Sequence, residues 1–184
     1  TALMVCHELG DQAFCLVDLG HHLPNTNIEQ VVARLVAAHR LGGFHFNDSK
    51  FADDDLSTGS IKPYQLFLIF NELVDAALDP LLKSRQPPFQ PAYMIDQSHN
   101  IKDPIEDLLV SATEIQRAYV KALLVNRKTL NYHQNRNDVT MAERVLKIAF
   151  ETDVTPILAE ARRRKHAALD PILAYRQWVH GNKY

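Results

Sequence analysis

Residues 13–19, AFCLVDL, form a continuous apolar run closed by an acid. Residues 44–47, FHFN, repeat that arrangement with His45 and Asn47 at the polar end. The continuous apolar run of 13–19 suits a strand of a buried parallel sheet, and 44–47 reads as the second strand. Between them, Asn25-Thr26-Asn27 supplies helix-capping side chains, Ile28 to Leu41 has helical periodicity, and Gly42-Gly43 is expected to stop the helix. Beyond the second strand a loop runs to Ser60, and Pro63 opens a helix predicted to reach Leu78. Asp79 to Pro91 holds four prolines and reads as a loop, and Ala92 to Asp96 as a third short strand. Asp103 then caps a helix with Pro104 in its first turn and Glu106 completing a capping box. Its apolar stripe is Ile105, Leu108, Leu109, Ala112 and Ile115, and it is expected to run to Val125. Upstream of the first strand, residues 2–9 read as the end of a helix terminated by Gly10.

After residue 125 the strands stop. Helices are predicted over 138–150 and 154–165, and Asp170-Pro171 opens a last one. The pattern β-α-β-α-β-α, residues 1–125, followed by a helical extension, 126–184, predicts an α/β fold with a parallel sheet and helices outside it. Three strands cannot close a barrel, which takes eight strands in about 250 residues. As an open sheet they leave an apolar edge. With Thr1 in the first position rather than Met, this leads to the expectation of a portion of a longer protein.

Composition excludes several classes. The chain has 184 residues, 46% hydrophobic and 23% charged, with a net charge of −2. That is ordinary soluble globular composition. There is no basic excess to draw it to nucleic acid. The run Arg162-Arg163-Arg164-Lys165 suits the C-terminal end of a helix dipole instead. No apolar run approaches the roughly 20 residues of a membrane span, and no signal peptide opens the chain. Cys6 and Cys15 fit no zinc spacing and read as reduced, buried thiols of a cytoplasmic protein.

The polar residues at the strand ends carry the chemistry. Alternate strand residues share a face. Asp18 therefore lies with Leu16 and Phe14, His45 with Asn47, and Asp96 with Met94. The C-terminal ends of parallel strands are where α/β barrels place their reactive groups. Just past them come His21-His22, then Lys50 with Asp53 and Asp55, then Gln97-Ser98-His99. Taken singly, Asp18 or Asp96 is a turn or cap acid, His21 and His22 are loop histidines, Asp53-Asp54-Asp55 is a solvated loop, and Lys50 is a surface lysine. Their recurrence at three successive strands points instead to a divalent-metal site, since adjacent carboxylates repel unless a cation compensates them. An EF-hand fails as the explanation: counted from Asp53, the positions needing Gly and Glu hold Thr58 and Tyr64. Mixed carboxylate and imidazole donors suit Mn2+, Co2+, Zn2+ or Mg2+. The donors exceed what one octahedral ion takes, so two ions are expected, able to hold the oxygens of a polyol or hydroxycarbonyl substrate.

The segments VDLGHHLPNTNIEQVVARL, LGGFHFNDSKFADDDLSTGSIKPYQLFLIFNELVDA and MIDQSHNIKDPIEDLL closely resemble the L-rhamnose isomerases of the broad-specificity bacterial subtype, members of the xylose-isomerase-like barrel superfamily. The resemblance runs from about Gly10 to Asp170. It implies the last three βα units of a (β/α)8 TIM barrel with a helical tail. The implied activity is interconversion of aldoses and ketoses, L-rhamnose and L-rhamnulose among them, with two divalent cations, commonly Mn2+, in a cytoplasmic homotetramer. On this chain it implies Asp18, His45 and Asp96 as ligands of a structural metal and His21, Asp53 and Asp55 as ligands of a catalytic one. Asp55 and His21 would be catalytic, and His45 and Lys50 would contact the sugar. A bridging glutamate of the family has no counterpart here, so the chain alone is expected to turn over little or no substrate. The alternative is a non-catalytic metal-binding or assembly module derived from such an enzyme.

Overall fold

The structure, a computed structural model, describes residues 1–84, 89–98 and 101–181. In chain order the elements are α1 (Ala2–Leu9), β1 (Cys15–Asp18), α2 (Ile28–Ala37), β2 (Leu41–Phe46), α3 (Pro63–Leu78), α4 (Pro80–Lys83) and β3 (Ala92–Ile95). They are followed by α5 (Pro104–Leu123), α6 (Arg127–Gln134), α7 (Val139–Glu151), α8 (Thr155–Arg164) and α9 (Pro171–His180). The strands form one parallel sheet in the order β1-β2-β3. The fold is therefore α/β, a small parallel sheet among many helices.

Local signals account for most boundaries. Asn27 caps α2, its side chain accepting from the Gln30 amide at 2.8 Å. Gly10 ends α1 with φ +92°. Pro63 sits in the first turn of α3, where the amide it lacks has no helical partner to lose.

Four expectations are corrected. The helix predicted over 28–41 ends at Ala37, His39 turns the chain with φ +57°, and Gly42-Gly43 lie inside β2. Their role is close approach of strands. A Cβ on Gly42 would stand 2.6 Å from Phe14 Cβ, and one on Gly43 2.7 Å from the Ala92 carbonyl oxygen. The loop predicted over 79–91 contains α4, capped by Asp79; its residues 85–88 lie outside those described. Helix α6, where the sequence predicts no element, is capped by the Asn126 side chain accepting from Thr129 N and buries Leu130.

The fourth correction concerns α5. Its inward residues are Asp107, Ser111, Ala118 and Ala122, while Ile105 and Leu108 of the predicted stripe are exposed. Asp103 caps the helix through the Ile105 and Glu106 amides, but the Glu106 carboxylate binds Arg176 of α9 at 2.6 and 2.9 Å rather than turning back to the cap.

The two faces of the sheet differ. Val17, Phe44 and Phe46 are at most 2% exposed and pack with Val32 and Leu35 of α2 and Phe67 and Phe70 of α3. Phe46 stacks between Phe44, at 5.1 Å between ring centroids, and Phe70, at 5.5 Å. Burial of each such ring stabilises by about 1.5–3 kcal/mol. On the other face Phe14, Leu16 and Met94 are between 42% and 48% exposed. Asp18, His45 and Asp96 stand on that open face.

The tail helices close over α3 and α5. Phe150 of α7 packs on Tyr64 and Phe67, Arg127 of α6 reaches the Asn71 carbonyl, and Tyr175 of α9 donates to Asp103. Cys6 and Cys15 are free and buried, with their sulfurs 3.4 Å apart. Among the described residues no helix is long and apolar enough to cross a membrane.

Candidate metal centre

Strand register assembles the first ligand group. Asp18 pairs across the sheet with His45, and the Asp96 amide donates to the Phe46 carbonyl at 3.1 Å, which carries the β3 edge one residue further. His45 Nδ1 consequently lies 3.1 Å from Asp18 Oδ2 and 3.0 Å from Asp96 Oδ2. The turn after β1 supplies the second group. His21 Nδ1 is 2.8 Å from Asp18 Oδ1, and its Nε2 is 3.3 Å from Asp53 Oδ1. Asp18, His45 and Asp96 bring ligand atoms within 4.8 Å of one another, and so do Asp18, His21 and Asp55.

The loop after β2 explains why two of its three consecutive acids face the site. Asp48 and Leu56 exchange backbone hydrogen bonds of 2.8 and 2.7 Å, closing the loop. Asp54 turns back into it and accepts the amides of Lys50 and Phe51. Buried Asp48 accepts the amides of Ser49, Ile61 and Lys62, tying the loop to the start of α3. Asp53 is left beside His21, and Asp55 is placed inward with φ +46°, a left-handed conformation uncommon outside glycine. Strain of this kind persists only where surrounding contacts over-determine it.

Charge is concentrated here. Burial, followed by the carboxylates of Asp53, Asp18 and Asp96, raises the pKa of Asp55 above its ordinary value. Burial opposes ionisation of Asp18 as well, but hydrogen bonds from His21, Asn47 and His45 outweigh it and lower the Asp18 pKa. The hydrogen bond to Asp18, then its charge, raises the pKa of His21, whereas burial lowers that of His22. Four carboxylates around two imidazoles, with no thiol among them, are a hard, anionic donor set suited to a divalent cation.

Lys50 is exposed and its ammonium lies over the Phe51 ring, 5.1 Å from the centroid. His22 and Asp53 belong to neither ligand group, Asp53 meeting the site through His21 Nε2. His99 lies outside the described residues.

Asn47 is a site residue that the sequence reading placed on the His45 face without a role. It is 1% exposed, and its Nδ2 donates to Asp18 Oδ1 at 2.9 Å and to Asp55 Oδ1 at 3.1 Å. Its Oδ1 is buried with no hydrogen-bond partner among the described residues, leaving an acceptor oxygen free within the donor set. The only signal available for it in sequence was the period-two spacing from His45.

No family model matches the chain. It is 59% identical over 176 residues to a protein of Mesorhizobium japonicum named as a probable sugar isomerase, a match that covers 96% of this chain and 40% of that protein. To a protein of Rhizobium meliloti with the same kind of name it is 58% identical over 176 residues, with the same coverage. The chain thus spans 40% of the length of these curated relatives, and over nearly its whole length it is similar to proteins named as probable sugar isomerases.

Proposed function

We propose that the chain contributes the metal-binding rim of an aldose–ketose isomerase that interconverts L-rhamnose and L-rhamnulose and related aldoses. The observation that carries the reading is convergence: the ends of three parallel strands and the turns after them bring Asp18, His21, His45, Asp53, Asp55 and Asp96 to one edge of the sheet. The relatives named as probable sugar isomerases support it independently. Asp18, His45 and Asp96 would hold one divalent cation and His21, Asp53 and Asp55 a second, Mn2+ being the first choice and Co2+, Zn2+ or Mg2+ alternatives. Asp18 has an oxygen facing each group. When bound, such ions would hold the hydroxyl and carbonyl oxygens of the open-chain sugar and polarise its carbonyl.

The chain's own residues then have separate tasks. Asp55 lies with Asp18 and His21 in the second ligand group, where it would stand beside the sugar hydroxyl whose proton is removed. His21 is oriented by Asp18 and faces Asp53 with its second nitrogen. His45 and Lys50 contact sugar oxygens. The open face that carries the ligands would be the interior of a (β/α)8 barrel, in which the strands shown here are three of eight. Cytoplasmic location and a homotetramer complete the proposal.

The test is to incubate the complete gene product with L-rhamnose and Mn2+ and measure ketose. Ketose formation that is abolished by chelation and restored by Mn2+ is the expected result. A protein that converts no aldose with any divalent cation overturns the activity, and one that binds Mn2+ without turnover is the non-catalytic module.

A further inference from the structure

A buried polar cluster lies beside the ligand groups rather than in them. Asp107 and Ser111, one turn apart on α5, are 4% and 0% exposed. Asp107 Oδ1 accepts from Ser57 Oγ at 2.7 Å, and its Oδ2 accepts from Gln97 Nε2 at 2.7 Å. Ser111 Oγ accepts the Thr58 amide at 3.0 Å and donates to Gln97 Oε1. The Lys102 ammonium, 3.0 Å from Asp107 Oδ1 and in contact with Ser57 Oγ, compensates the buried charge.

Ser57 lies two residues after Asp55, and Gln97 directly after Asp96. The same helix face therefore grips both loops just downstream of a carboxylate. The two loops are also joined to each other, the Ser98 amide donating to the Asp55 carbonyl at 2.9 Å. Like-charged carboxylates tend to spread apart. Asp55 is in addition held in a left-handed conformation. Its place near Asp18 needs restraint from outside the acid cluster, and α5 supplies it.

We infer that Asp107 and Ser111 are positioning residues that fix Asp55 relative to Asp96, and so set the spacing of the two ligand groups. The inference rests on the proposal that those groups bind divalent cations. Direct partners of ligating groups typically change metal affinity by about 10–100-fold when removed, and Asp107 and Ser111 act one residue further out, through Ser57, Thr58 and Gln97.

The experiment compares the complete wild-type gene product with its Asp107→Asn and Ser111→Ala variants and a control, Asn71→Ala, which loses contacts to Glu72 and Arg127 away from these loops. Mn2+ binding is measured by calorimetry, melting by circular dichroism, and amide exchange at Ser98 by NMR on metal-free protein. Both clamp variants are expected to bind Mn2+ about tenfold more weakly, the low end of the range for direct ligand partners, and to exchange faster at Ser98. The control should melt at lower temperature yet keep its Mn2+ affinity within about twofold, which separates positioning from loss of stability. Wild-type affinity in Ser111→Ala and in folded Asp107→Asn overturns the inference while leaving the metal site standing. A complete wild-type gene product that takes up no Mn2+ overturns the metal reading and the inference with it.

Discussion

Asp18 and Asp55 meet through one amide: Asn47 Nδ2 donates to Oδ1 of the first at 2.9 Å and to Oδ1 of the second at 3.1 Å. The bridge joins a strand end to a loop eight residues beyond Asn47 and holds two like charges apart at a set distance. Asn47→Ala leaves both carboxylates short of a donor. It should destabilise the fold by about 1–3 kcal/mol and weaken Mn2+ binding by about tenfold or more, read by urea denaturation and by calorimetry. Unchanged Mn2+ affinity would remove Asn47 from the site.

Asp55 combines an unfavourable backbone conformation with an unfavourable charge environment. Its folded-state pKa is raised, so its contribution to stability is fully present below the ordinary carboxylate pKa and is lost as pH rises through the folded value. Asp55→Asn removes the charge, and asparagine is among the residues that best tolerate positive φ. In the presence of chelator the variant should melt higher than wild type at pH 7, with the gap narrowing as pH falls toward 4. With Mn2+ added the order should reverse, because the variant gives up a ligand. A variant that melts lower than wild type in chelator at pH 7 contradicts the electrostatic account.

Gly43 sits in β2 where β3 passes closest. A Cβ there would stand 2.7 Å from the Ala92 carbonyl oxygen, which is backbone and cannot rotate away. Gly43→Ala should cost roughly 1–3 kcal/mol through strand separation. Because Asp96 continues β3, it should also weaken Mn2+ binding. Differential scanning calorimetry with and without Mn2+ measures both effects.

Phe46 is fully buried between the Phe44 and Phe70 rings. Phe46→Ala should lose about 3–5 kcal/mol. Phe46→Leu, which keeps most of the volume, should lose distinctly less. Equal losses for the two, in urea titrations, would mean that the cavity does not govern the cost.

Burial, then the hydrogen bond and charge of Cys6, push the Cys15 thiol up from 9.0 to about 11. A raised folded-state pKa holds the proton longer than the unfolded chain does. Stability from this group is therefore intact below pH 9 and declines as pH rises toward 11. Cys15→Ala should flatten that decline in denaturation midpoints taken between pH 8.5 and 10.5. In the native wild type, iodoacetamide at pH 8 should leave Cys15 unmodified until the chain is unfolded.

Sequence alone determined the alternation of strands and helices, the parallel sheet, and the convergence of Asp18, His45 and Asp96, because a period of two and the rule that parallel strands end together are properties of the backbone. It misjudged Gly42-Gly43, since a glycine that lets a strand approach looks the same in sequence as one that stops a helix. It also misjudged the first turns of the inward face of α5, although Ile115 of the expected stripe packs on the core. Hydrophobicity marks Ile105 and Leu108, but what lies opposite that face is a pair of polar loops, and Asp107 and Ser111 are buried because they satisfy those loops. Only the tertiary structure decided how Asn47 joins the two carboxylates, how Asp54 turns away while Asp53 and Asp55 face the site, and how Cys6 meets Cys15. The Asn47–Asp18 contact joins residues 29 apart in the chain, and the others lie within loops and turns whose path is set by packing rather than by a repeating residue pattern.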